Sequence, residues 1–172
     1  MFLNHIKNFW VKKTLNKKLQ STAHLMLPAS VKTIGLIVDE VNFLNTKLLI
    51  KELIAGGIRP ENIVTIQFKK DVVNKREGGF FNLEYNQLQW NGKFKGVDPA
   101  EFLSKKYDVL ISYYDHEEIV LMQFTHQTQA CLKVGFASVD SRLHHFTIQT
   151  IVANHEGFVK EFFKILKLLN II

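Results

Sequence analysis

The chain of 172 residues has one cysteine, Cys131, so no intramolecular disulfide can form. It lies in the apolar run Ala130-Cys131-Leu132, where a thiol is expected to act as a small buried hydrophobe in a reducing compartment. Long apolar runs are missing too. No stretch reaches the roughly 18 consecutive apolar residues of a membrane span, and the N-terminus lacks the apolar region and small-residue cleavage site of a signal peptide. The cytoplasm is therefore the expected location.

Glycine is absent from the turn where a dinucleotide-binding fold needs it most, which reads Val38-Asp39-Glu40-Val41-Asn42. Two carboxylates there repel phosphate, which excludes a standard NAD, FAD or P-loop site and leaves no cofactor indicated. The seven histidines fall into no compact ligand spacing. His144 and His145 are adjacent at a strand start, where neighbours point to opposite faces, and His116 and His126 are too far apart along a helix to share an ion. No metal site is expected. Without a G-x-S-x-G elbow, and with Cys131 in an apolar strand, no residue is assigned a catalytic role.

Acidic residues are absent before Asp39, and this locates the charge. Six of the 22 basic residues (Lys7, Lys12, Lys13, Lys17, Lys18 and Lys32) precede it, leaving 16 to balance 16 aspartates and glutamates. The net charge of +6 thus belongs to a basic leader on a neutral core, which weakens any whole-chain case for nucleic-acid binding. Hydrophobic residues at 47% and charged residues at 22% are those of a folding chain rather than a disordered one. One domain over residues 1–172 is the economical reading.

Residues 1–20 suit a basic helix, with Phe2, Leu3, Ile6, Phe9 and Trp10 on one side and Val11, Leu15 and Leu19 rotated away. A polar linker follows at 20–24. Continuous apolar runs then predict doubly covered strands at 31–38, 63–68, 109–111, 132–136 and 145–152, alternating with helices near 44–54, 117–129 and 158–169. A strand, a helix ended by Gly56-Gly57, and another strand make a right-handed parallel crossover unit. Asn91-Gly92 between alternating residues predicts a small β-hairpin insert over about 83–96 with a type I′ turn. The segment 98–101 predicts a helix start with Asp98 as N-cap. The expected fold is an α/β, Rossmann-like three-layer sandwich around a mostly parallel sheet of about five strands.

Ligands of such sheets bind beyond the carboxyl ends of the strands. There the chain carries Asp39 and Glu40 after the first strand, and Tyr113, Tyr114, Asp115 and His116 after the third. These six are the candidate ligand-binding residues, suited to acid–base chemistry or to holding a divalent ion. A capping box, with Asp115 as N-cap and Glu118 reaching back, is the stronger reading of the acidic pair. On the leading helix, Lys12, Lys13, Lys17 and Lys18 are candidates for contact with an anionic membrane surface or nucleic acid. Packing of the apolar side on the domain, with the lysines in water, is the simpler alternative. Trp90 in the insert suits either a buried anchor or a protein partner, a second copy of the chain included.

Four segments, Ile34-Gly35-Leu36-Ile37-Val38-Asp39-Glu40, Trp90-Asn91-Gly92-Lys93, 107–114 (Tyr-Asp-Val-Leu-Ile-Ser-Tyr-Tyr) and Lys133-Val134-Gly135-Phe136, carry a resemblance. The chain resembles an uncharacterised bacterial family of short α/β proteins with a lysine-rich N-terminal helix, a domain of unknown function. That resemblance implies the fold and no activity. Residues 107–142 are also similar to the N-terminal half of heptosyltransferase-type glycosyltransferases, which implies one half of a two-domain enzyme. The nucleotide-sugar domain of that family and its glycine-aspartate segment have no counterpart here. A non-catalytic binding or protein-interaction domain is the leading expectation. The alternatives are a small enzyme acting on a sugar or phosphorylated metabolite at the carboxyl edge of the sheet, and surface attachment through the basic helix.

Overall fold

The computed structural model describes residues 2–19, 27–69 and 77–172, so the expected linker at 20–24 lies outside the described residues. Helix α1 (Phe2–Lys18) opens the chain and leads to strand β1 (Ile34–Asp39), helix α2 (Thr46–Ala55) and strand β2 (Ile63–Lys69). Strand β3 (Phe81–Glu84), helix α3 (Val97–Leu103), strand β4 (Lys106–Tyr113), helix α4 (Ile119–Gln127) and strand β5 (Gln129–Phe136) follow. The short strand β6 (Phe146–Ile148) precedes helix α5 (His155–Leu168).

Among the described residues the strands form one open sheet of six, all parallel, in the order β3-β2-β1-β4-β5-β6. All six residues of β1 are buried, because helices cover both faces of the sheet centre; hence its near-continuous apolar sequence. Residues near the end of β4 show which face is which. Ser112 and Tyr114 both meet the Thr125 hydroxyl of α4, whereas Tyr113 between them packs on Phe158 of α5. Helices α2 and α5 pack together, and α3 and α4 meet on the other face through the Phe102 and Phe124 rings, 5.5 Å apart. Helix α1 lies across α4. The arrangement is consistent with a Rossmann-like sandwich, and its strand order switches direction between β1 and β4.

The structure corrects three local expectations. Phe81–Glu84 is no hairpin arm but an edge strand, paired in parallel with β2 from Ile66↔Phe81 to Lys69↔Glu84. Antiparallel pairing in the insert is limited to the Leu88↔Phe94 bridge. Only Gly92 in its turn has positive φ (78°), and the Gln89 N–H donates to the Lys93 carbonyl at 2.9 Å, so the loop has three residues and is not type I′. The Gly92 carbonyl accepts from Gln123 and Gln127 of α4, which docks the loop while Trp90 at its tip stays 54% exposed. Asp98 does not cap α3, whose N-cap is Gly96; its carboxylate accepts the Asn82 N–H of β3 at 2.8 Å. Cys131 is half-buried rather than buried.

Between residues 7 and 19, over α1 and the residue that follows it, the buried side chains are Lys7, Val11, Leu15 and Leu19, spaced every four along one face. Lys7 is accommodated because its Nζ donates to the Leu88 carbonyl at 3.1 Å and lies 4.7 Å from the centre of the Tyr85 ring. Burial, aided by Lys95, lowers its pKa. Phe9 and Trp10 remain in solvent.

Candidate functional site

Where the strand order switches, the parallel register places Asp39 level with Phe68 of β2. The pleat sends both side chains to the α4 side, because Ile37 pairs with Ser112, which faces that helix. Asp39 is 1% exposed and fixed by its own loop: Oδ1 accepts the Val41 N–H at 3.0 Å and Oδ2 accepts from Asn42 Nδ2 at 2.7 Å. His116, just beyond β4, brings its Nε2 to 3.6 Å from Asp39 Oδ2 and its Nδ1 to 3.9 Å from Asp115 Oδ1. These separations are those of an ion pair when the imidazole is protonated, beyond ordinary hydrogen-bond length.

Asp39 and His116 share a hollow of about 440 Å³ with Val41, Asn42, Phe68, Tyr85 and Glu118. Glu118 is held by the Val120 N–H, which makes it the N-cap of α4. Asp115 is therefore not the cap that its spacing suggests. Its Oδ2 accepts the Val152 N–H at 2.9 Å, tying the end of β4 to the approach to α5.

The remaining candidates lie elsewhere. Glu40 follows Asp39 in the chain and points to the α2 side. There its carboxylate accepts from Gln67 Nε2 at 3.0 Å and meets Lys69 Nζ at 3.2 Å. Gln67 also donates to Thr46, so this group fastens β2 to the start of α2. Tyr113 and Tyr114 are buried in the core, their hydroxyls bonded to the Val152 carbonyl and to Thr125; burial raises both pKa values. Lys12, Lys13, Lys17 and Lys18 are all exposed, and Lys12 pairs with Glu117 at 2.9 Å.

A second polar cluster lies where α4 ends. Lys133 of β5 donates to the carbonyls of Thr125 and His126 at 2.7 and 3.3 Å, serving as a C-terminal cap for that helix. Burial lowers its pKa to about 8. His145 accepts the Lys133 N–H through Nδ1. His144 is buried beside Gly135, and burial lowers its pKa to about 3, with Lys133 and His145 adding to the effect. Among the described residues no group of three His, Cys, Asp or Glu side chains is placed to hold a metal ion, and no helix is long and apolar enough to cross a membrane.

The sequence model of a family of unknown function (DUF6913) matches residues 7–169. The chain belongs to that family. No curated protein and no solved structure matches it, so the similarity of residues 107–142 to glycosyltransferases has no support in these comparisons. The DUF6913 match takes in the switch-point hollow, the Lys133 cluster and the buried face of α1.

Sequence reasoning missed the aromatic wall of the hollow in this DUF6913 chain. Phe68 ends the apolar run of β2, and strand ends align in a parallel sheet, so its place beside Asp39 was available as a signal. Tyr85 follows β3, whose membership of the sheet depends on pairing that no local pattern marks.

Proposed function

We propose that the chain is a binding domain for a small, polar, unphosphorylated metabolite, held in the hollow beyond β1 and β4. The observation that carries this reading is the meeting of Asp39 and His116, from two different strand ends, over one hollow. Its volume falls within the range of about 300–1,000 Å³ usual for ligand pockets. Two carboxylates, an imidazole and the Asn42 amide offer acceptors and donors for hydroxyl or amino groups, and Phe68 and Tyr85 offer an apolar wall. Among the described residues no lysine or arginine lines the hollow, which disfavours phosphate. The lone, half-buried thiol of Cys131 supports a cytoplasmic setting.

Acid–base catalysis is a second reading, favoured by one observation: a buried, hydrogen-bonded carboxylate faces an imidazole that is 44% exposed. A thermal-shift screen of free monosaccharides, polyols and amino acids against their phosphorylated counterparts tests the binding reading. A raised midpoint with an unphosphorylated compound, lost in His116→Gln, is expected. A response to phosphorylated compounds alone contradicts it. Turnover of the bound compound, followed by NMR and stopped by the same substitution, establishes the second reading.

A further inference from the structure

The docking of α1 leaves a defined ridge in solvent. Lys7, Val11, Leu15 and Leu19 fix the buried face. At 100° per residue, the direction opposite that face passes through Phe9, Lys13 and Lys17, with Trp10 beside them. Phe9 is 63% and Trp10 53% exposed, although both are large and apolar, and no acidic residue lies in the helix. Among the described residues no carboxylate pairs with Lys13 or Lys17, whereas Lys12 is engaged by Glu117.

We propose that this ridge docks on the surface of an anionic lipid bilayer. The charge is complementary and local, because residues before Asp39 hold the whole net charge of +6. Each lysine brought to an anionic leaflet strengthens attachment on the order of fivefold. Aromatic residues sit well at the level of the headgroups, and lysine stems cover apolar surface while their ammonium groups stay in water.

Single-stranded nucleic acid fits less well. It needs open aromatic faces along a basic groove. Here Trp10 meets Phe9 edge to face at 6.4 Å, and the Lys13 ammonium lies 5.4 Å from the centre of the Trp10 ring. A convex helix ridge also matches a plane better than it matches a strand.

Co-sedimentation of the full chain with phosphatidylcholine vesicles, with and without phosphatidylserine at about one third of the lipid, tests the proposal. Binding only to the anionic vesicles, weakened by salt and reduced at least tenfold in Lys13→Glu/Lys17→Glu, is expected. In a Trp90→Phe background, Trp10 emission should shift to the blue on binding. Both altered lysines are exposed, so an unchanged thermal midpoint shows that the variant is folded; if the midpoint falls, Lys13→Gln/Lys17→Gln replaces it. No binding, equal binding to neutral vesicles, or retention on single-stranded RNA without vesicle binding overturns the proposal.

Discussion

His144 occupies a place that only a neutral imidazole suits. It is 4% exposed, and burial lowers its pKa from 6.5 to about 3. Below pH 6.5 the unfolded chain takes up a proton that the folded chain refuses, so stability falls as the pH drops from about 6.5 towards about 3. His126 and His145 are lowered as well, chiefly by burial, and act in the same direction. The slope is at most about 1.4 kcal/mol per pH unit for each histidine. Urea midpoints should therefore be lower at pH 5 than at pH 7, and His144→Leu should flatten that difference. An unchanged pH dependence in the variant would remove His144 from the account. Asp39 shows the same importance of surroundings: its position after a buried strand marks it in the sequence, but only the fold shows that His116 faces it.

Among the elements, β1, β2, β4 and β5 were legible because a strand covered on both faces needs a continuous apolar run. β3 was not, since it has four residues and its partner is β2 across a long connection, not the neighbouring segment. The two misread carboxylates share one cause. Asp98 and Asp115 have cap spacing, yet a carboxylate at that spacing serves a distant N–H as well as a local one, and Asn82 and Val152 supply distant ones. Asp98 consequently couples α3 to the sheet edge. Asp98→Ala should cost about 1–3 kcal/mol, with faster amide exchange at Asn82 and little change in the helix content seen by far-ultraviolet circular dichroism. Unaltered exchange at Asn82, with fraying confined to α3, would restore the capping role.

At the scale of the molecule, one sheet separates two aromatic groups. On one face Phe158 lies 5.0 Å from Tyr113 and 4.7 Å from Phe136; on the other Phe124 lies 4.9 Å from Phe94 and 5.5 Å from Phe102. The buried cluster to which they belong runs from Val11 to Ile171, so neither face can lose its helices without exposing strands that the other face also covers. That geometry implies one cooperative transition in which both faces share a single stability. Phe158→Ala and Phe124→Ala should each cost about 3–5 kcal/mol, a large part of the roughly 5–15 kcal/mol that holds a domain folded. Both should lower the urea midpoint while leaving the denaturant slope unchanged, with circular dichroism and tyrosine fluorescence tracing the same curve. A reduced slope or separated curves in only one variant would mean that its face opens on its own. The switch-point hollow would then sit between parts of unequal stability, because Asp39 and His116 come from the strands that both faces share.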